Sequence, residues 1–425
     1  MNAPKILFDA SCADDYDPNS MPVERARALI RTFLTPVTAA ERVHIRLALH
    51  RVLAADVVSP HDVPGHDNSA MDGYAVRFAD LKTSDETVLS RVGESFAGKP
   101  SAASVGPGEC VRIFTGGVIP NGADSVVMQE RTVVDGERVR VAPGAIAKPG
   151  QNRRLAGEDL KRGQVVFTAG QFVRPAELGM LASLGIGEVT VLRKLRVAYF
   201  STGDELKSIG TPLAAGEVYD SNRYTLYGML ARLNCDAIDM GVVPDVPAAL
   251  ERAFASAAEC ADVIITSGGV SVGEADYVRA LLDRLGEVVF WKIAMKPGRP
   301  LAYGRIRGAH FFGLPGNPVA VMVTFHEFVQ DALKVLQGRH APAPLPTFKV
   351  RLAAPIRKVP GRTEFQRAIL AQDDTGAWTV RTTGDQGSGI LSSMSRANCF
   401  VVLPPETANV AAGELVEVQL LEGLL

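Results

Sequence analysis

Thr266-Ser-Gly-Gly-Val-Ser-Val-Gly-Glu-Ala-Asp-Tyr277 decides how this chain is read. It follows an all-apolar run, Val263-Ile264-Ile265, flanked by Asp262, and precedes a helix-patterned segment from Val278 to Leu285. The stretch therefore reads as the turn from a buried parallel strand into a helix. Turns of that kind lie at the carboxyl edge of an α/β sheet, where ligands bind. Gly268, Gly269 and Gly273 permit positive φ and close backbone approach, while Ser267, Ser271 and the amides at the helix start can donate to phosphate oxygens. Glu274 and Asp276 would repel a bare phosphate, so a divalent cation or a second, polar part of the ligand is expected between them.

Working outward, the pattern from Leu195 alternates strands and helices. Strands are expected at Val197 to Phe200, Ala237 to Val243, Val288 to Ile293 and Phe311 to Leu314. Helices are expected from the Asp220-Ser221-Asn222 cap to Leu233, from Val246 to Ala257, and from Val319 to Leu336 behind Asn317-Pro318. That alternation predicts a parallel sheet with helices on both faces. A proline-rich linker, 341–346, separates it from five short strand candidates, Phe348 to Leu352, Phe365 to Leu370, Trp378 to Thr382, Cys399 to Leu403 and Leu415 to Leu420, which predict a compact β domain.

On the amino-terminal side, Met21 to Leu34 reads as an amphipathic helix capped by Ser20, and Ala39 to Leu53 as a second helix. The segment 63–75 is rich in turn formers; Asp67 and Asn68 read as caps for backbone amides, and Asp72 beside Gly73 as a carboxylate presented to a cleft. Short strand candidates follow, with Asp135-Gly136 as a hairpin signal, so Ser95 to about Lys148 reads as a small all-β unit. Glu177 to Leu184 returns to helix and Glu188 to Leu192 to strand, which makes the β unit an insertion.

The chain has 425 residues, too many for one core, and its 47% hydrophobic and 22% charged content is that of a globular protein. A net charge of −2 gives no general attraction to nucleic acid or to an anionic membrane, so anion binding must come from local basic clusters. Five scattered cysteines without a Cys-x-x-Cys pair point to reduced thiols and a cytoplasmic setting. His61 and His66 are the closest histidine pair and lack metal-ligand spacing. No apolar run reaches the ~18 residues of a membrane span.

In the α/β part, Thr202 to Glu205, Pro244-Asp245, Thr266 to Tyr277, Lys292 to Pro300 and Leu314 to Pro318 each fall just after an expected strand, so they can converge on one pocket. Lys292, Lys296 and Arg299 supply positive charge; Glu205, Asp245 and Asp276 supply the opposite sign. Taken singly, such charges are as well explained by pairing with one another at the surface. Taken together, they suit a phosphorylated or oxyanionic substrate bridged by a hard cation such as Mg²⁺.

The set resembles the molybdopterin molybdenumtransferase family, comprising MoeA-type proteins and the E domain of gephyrin, from about Val23 to the carboxyl terminus. The pieces that carry the resemblance are Asp67-Asn-Ser-Ala-Met-Asp-Gly-Tyr-Ala75, Arg112-Ile-Phe-Thr-Gly116, Gly157-Glu-Asp159, Ser201-Thr-Gly-Asp-Glu205, Ser267 to Tyr277, Lys296-Pro-Gly-Arg-Pro300 and Leu314-Pro-Gly-Asn-Pro318. It implies a multidomain α/β plus β architecture: an elongated helical, dimerising domain (20–62 and 158–194), an inserted β domain (63–157), a parallel molybdopterin-binding α/β domain (195–340) and a carboxyl-terminal β barrel (347–425). It also implies a homodimer with the active site between subunits.

The activity implied is joining molybdate to the dithiolene of adenylylated molybdopterin, with Mg²⁺-dependent release of AMP. Carried over by motif, Asp72, Thr115 and Asp159 form the inserted-domain wall, and Glu205, Asp245 and Asp276 an acidic wall, with Glu205 and Asp276 the Mg²⁺ candidates. Ser267, Gly268, Gly269, Ser271, Lys292, Lys296, Pro315 and Pro318 hold substrate. Arg367 and Ser388 match barrel positions that reach the molybdate region. Arg299 stands where the family commonly has lysine; it keeps the charge and changes the hydrogen-bond geometry. A molybdopterin adenylyltransferase, which shares the α/β domain, is the alternative enzyme and otherwise a possible partner; a gephyrin-type scaffold is the non-enzymatic alternative.

Overall fold

The computed structural model describes residues 20–268, 284–339 and 345–421. At its centre a six-stranded sheet has the order Asp236–Val243, Arg196–Thr202, Val263–Ser267, Ala309–Leu314, Pro300–Ile306, Gly286–Lys292. The first four are parallel. Pro300–Ile306 is antiparallel to both its neighbours, so Gly286–Lys292 regains the direction of the parallel set. The expected all-parallel sheet is thus corrected by one reversed strand. Its hairpin turns at Arg307-Gly308, both at positive φ, between the paired Ile306 and Ala309.

Successive residues of the central strands face opposite ways, which explains their unbroken apolar runs. Val197, Tyr199, Val263, Ile265 and Phe312 join one core cluster with Leu226, Leu230, Val319 and Val323 from helices Ser221–Arg232 and Pro318–Thr324. Ala198, Phe200, Ile264 and Phe311 join another with Leu250 and Phe254 of helix Pro247–Cys260. All but the last two residues of the helix expected after the quoted turn, and most of the proline-rich linker, lie outside the described residues.

The amino-terminal part departs from expectation. Helix Val23–Phe33 forms, but Pro22 rather than Ser20 holds its cap position, without a side-chain bond. Val23, Ala26 and Ile30 pack into the α/β core, and Arg31 pairs with Asp331 at 2.7 Å. The expected second helix is instead the strand Ala40–His44, antiparallel to Glu188–Leu192, followed by the 3₁₀ turn Ile45–Ala48. Val43 and Ile45 pack on the cluster that this pairing builds, whereas Leu47, which a helical reading counts as core, is 66% exposed. A distant cross-strand partner outweighs weak local helix periodicity. Helix Pro175–Ser183 completes this region with the strand pair Val57–Val58 and Val165–Phe167.

The inserted sheet runs Ser125–Met128, Gly73–Val76, Glu109–Ile113, Thr87–Ser95, Arg138–Val141, Thr132–Asp135. It begins at Gly73, inside what reads as an entry loop, because a Cβ there would lie 1.9 Å from the Val127 carbonyl and only glycine lets the strand approach. The carboxyl-terminal strands Thr347–Leu352, Thr363–Gln372, Trp378–Thr382, Cys399–Leu403 and Leu415–Leu420 close into a five-stranded barrel around Val350, Ala368, Val380, Val401 and Val418. Met295–Lys296 pairs in parallel with Thr363–Glu364, stitching the α/β sheet's edge to the barrel. No described helix is long and apolar enough to cross a membrane.

Candidate active site

Because Gly286–Lys292 runs with the four parallel strands, Thr202–Glu205, Pro244-Asp245, Ser267-Gly268, Lys292–Pro300 and Leu314–Pro318 all leave the sheet at its carboxyl edge. Neighbouring loops are tied together there. Gly268 N donates to Leu314 O at 3.1 Å, and the Ser267 hydroxyl reaches Pro315 O at 3.5 Å. Gly268 has φ +89°, and a Cβ on it would sit 2.5 Å from Thr202 O, so the first and third loops touch backbone to backbone. Asp245 N donates to Asp204 Oδ1 at 3.3 Å, bringing the second acidic loop beside the first.

Glu205 is exposed, and its carboxylate curls over Gly203, where a Cβ would lie 2.6 Å from one oxygen. A carboxylate is the hard oxygen donor a divalent cation prefers, yet among the described residues no group of three or more His, Cys, Asp or Glu is placed to hold a metal ion. Asp276, Gly269 and Ser271 lie outside the described residues.

The basic loop is held from two sides. Ile293 N donates to Arg299 O at 2.7 Å, closing the turn, and Pro297 and Gly298 are buried while Lys296 is exposed. Gly298, at φ +95°, leaves only 2.5 Å between a built Cβ and Thr324 Oγ1, so the turn wedges against helix Pro318–Thr324. Lys292 is half-buried at the end of its strand, four residues before Lys296.

The barrel enters through Ser388, whose carbonyl accepts from Val319 N at 3.1 Å and so sits beside Pro318 at the helix start. Arg367 is 1% exposed, and its guanidinium donates to Ser393 Oγ at 2.9 Å, Gln386 O at 3.1 Å, Gly387 O at 2.9 Å and Asp385 O at 3.3 Å. It shapes the loop that carries Ser388 rather than projecting from it.

The inserted-domain residues form their own cluster. Thr115 donates to Asp72 Oδ1 from both its amide and its hydroxyl, each at 2.8 Å, and these bonds hold the Asp72 carboxyl below its usual range. Asp67 behaves as the capping reading expects: it accepts from Ala156 N at 2.7 Å and pairs with Arg153, and the amide bond leads in lowering its pKa. Asn68 instead donates to His66 O at 3.3 Å and leaves its Oδ1 buried without a hydrogen bond. Asp159 is exposed, its amide bound to Val63 O at 3.0 Å. Among the described residues, no hydrogen bond joins this wall to the edge of the α/β sheet.

Sequence reasoning overlooked Asn222 beyond its place in a helix cap. Its side-chain amide donates to both Ser267 Oγ and Gly316 O. The only signal was its position next to the capping Asp220, ahead of a helix that starts at this edge.

Comparison with known proteins agrees along the whole chain. Residues 21–185 match the MoeA N-terminal region (domain I and II), 198–335 a probable molybdopterin binding domain, and 349–421 the MoeA C-terminal region (domain IV). A molybdopterin molybdenumtransferase of Haemophilus influenzae is 44% identical over 95% of this chain and 100% of its own length. A gephyrin of Dictyostelium discoideum is 33% identical over 94% of this chain and 62% of its own. The crystal structure of a molybdopterin biosynthesis moeA protein from Pyrococcus horikoshii OT3 superposes with a TM-score of 0.79 at 30% identity, covering 95% of this chain and 100% of that one. With three regional matches in order, a full-length relative at that identity and the same fold, the chain belongs to the molybdopterin molybdenumtransferase (MoeA) family.

Proposed function

We propose that this enzyme performs the molybdenum-insertion step of molybdenum cofactor biosynthesis, joining molybdate to the dithiolene of adenylylated molybdopterin and releasing AMP. The observation that carries this reading is the single edge on which Ser267-Gly268, the Lys292–Arg299 turn and Pro315–Pro318 meet. Lys296 and Lys292 neutralise the phosphates or the oxyanion, and the Ser267 hydroxyl and loop amides orient them. Glu205 and Asp276 are the residues that would hold Mg²⁺, which supplies charge neutralisation at the phosphoric anhydride.

Chemistry at sulfur is left to the substrate. Burial pushes the thiols of Cys110, Cys235 and Cys399 up to about 12, so none of these three offers a thiolate that would compete for molybdenum near neutral pH. Asp72, Thr115 and Asp159 serve as the second wall, contributed by the other subunit of a homodimer. Ile209, Val218, Tyr224 and Tyr227, each more than 40% exposed on the α/β part, are large apolar side chains available for such a contact. The same reading carries the four-part division given above and a molybdopterin adenylyltransferase as the upstream supplier.

The test is cofactor formation from adenylylated molybdopterin and molybdate, with and without Mg²⁺, followed by molybdenum content and AMP. Formation that depends on Mg²⁺ and falls about 100-fold in Lys296→Ala is expected, the size seen when one stabilising donor is lost. Adenylylation of molybdopterin by ATP without any molybdenum insertion would replace this reading with the adenylyltransferase.

A further inference from the structure

We infer that Asn222 is a positioning residue of the proposed substrate edge, its side-chain amide locking the Ser267-Gly268 turn to the Pro315-Gly316 turn; the inference rests on the function proposed above.

Asn222 is the second residue of helix Ser221–Arg232 and does not cap it. Asp220 does that, accepting from Arg223 N at 3.2 Å, and the same carboxylate oxygen accepts from Ser201 Oγ at 2.9 Å. The helix start is thereby fastened to the end of strand Arg196–Thr202, which frees Asn222 for another task. Its Nδ2 donates to Ser267 Oγ at 2.7 Å and to Gly316 O at 2.6 Å. Those two acceptors lie on the loops that follow neighbouring parallel strands, 45 and 94 residues away in sequence. One amide group, with two N–H bonds in a fixed plane, therefore sets the distance between the loops.

The bond also orients Ser267. With one lone pair occupied by Asn222, its single proton is left to turn between Pro315 O, 3.5 Å away, and an incoming oxyanion. The arrangement is held at a cost, because Asn222 is 8% exposed and its Oδ1 is buried without a hydrogen bond. Thr202 Oγ1, at the end of the strand on the other side of Val263–Ser267, is likewise buried and unbonded. A position shaped for stability alone would satisfy or delete such an oxygen. Aspartate has the same shape and no donor, serine has one donor, and glutamine is a methylene too long, so only asparagine spans both acceptors from this site.

The test uses the full-length protein and Asn222→Asp, with Asn222→Ser as a second variant should the first fail to fold. Two readouts are taken on material whose circular dichroism matches the wild type: molybdopterin affinity from pterin fluorescence, and kcat/KM for cofactor formation. Affinity is expected to fall about tenfold and kcat/KM further, because reacting groups misplaced by an ångström lose rate as well as binding. A Ser267→Ala/Asn222→Asp double variant should lose less than the product of the single losses, since one acts through the other. Wild-type affinity and kcat/KM in a folded Asn222→Asp, or losses that simply multiply in the double variant, would overturn the inference. Should the wild type bind molybdopterin but insert no molybdenum, the proposed function fails while the affinity arm still decides the role of Asn222. No binding by the wild type overturns both.

Discussion

Two stretches of one helical run, residues 318–336, treat buried polar groups in opposite ways. At Glu327, 1% exposed, the carboxylate pairs with Arg27, the carbonyl accepts from Arg27 Nε at 2.9 Å, and His326 Nδ1 stands 3.0 Å from Oε1. His326 in turn meets Phe400 of the barrel edge-on, with ring centroids 5.5 Å apart. That knot fastens the first helix, the α/β sheet and the barrel, and its charges are paired. Three residues earlier, Thr324 faces the basic turn with its hydroxyl buried and unbonded, in company with Thr202 and Asn222 at the same edge. The π-helical turn Phe325–Val329 begins directly after Thr324 and carries both His326 and Glu327. At the knot the polar groups have protein partners, whereas the buried Thr202, Asn222 and Thr324 atoms at the sheet edge have none.

Breaking the paired side should give the largest effect. Glu327→Ala removes the buried partner of Arg27, which keeps only the exposed Glu24 at 2.7 Å, and the neighbour of His326 Nδ1, so a loss of about 3 kcal/mol in urea unfolding is expected. A loss below about 1 kcal/mol would erase the contrast.

A second measurement sharpens it through pH. His310, 5% exposed, lies between Tyr303 Oη and Arg305 Nη2, each at 3.3 Å, and burial first, then the Arg305 charge, drives its pKa down to about 4. Arg305 can only donate, so Nε2 accepts and Nδ1 carries the proton. The unfolded chain takes up a proton near pH 6.5 and the folded one does not until about 4, so stability is full above 6.5 and declines as pH falls to 4. The loss is about 3 kcal/mol at ~1.4 kcal/mol per pH unit. His326, also lowered to about 4 chiefly by burial, acts in the same direction, so His310→Phe should remove roughly half of the acid slope in the urea midpoint.

The smallest effect should have the opposite sign. Thr202→Val deletes a buried hydroxyl that has no partner and keeps the side-chain shape, so the folded protein should gain about 1 kcal/mol while cofactor formation slows. A stability loss there would show that the hydroxyl serves the fold.

Much of the architecture could be read in advance because it is written locally. The apolar runs at 197–200 and 263–265, the Asp220 cap and the Asn317-Pro318 helix start each carry their own signal, and the shared strand direction then gathers the loops. What failed depends on distant partners. Ala40–His44 becomes a strand only against Glu188–Leu192, and Gly73–Val76 becomes one only because the Val127 backbone leaves no room for a side chain. Arg367 has the right charge for an oxyanion, yet its burial against three loop carbonyls and the Ser393 hydroxyl is a property of the closed barrel. The bonds of Asn222 cross 45 and 94 residues, beyond any periodicity.

The parallel ladder between Met295–Lys296 and Thr363–Glu364 makes the barrel a splint for the cationic turn. Cutting the chain in the linker would leave the α/β sheet intact but deprive the Lys296 backbone of its neighbouring strand. A minimal fragment covering 195–340 would in addition lose Val23, Ala26 and Ile30 from its core and leave Glu327 without Arg27, so these regions are inherited, and must be engineered, as a unit.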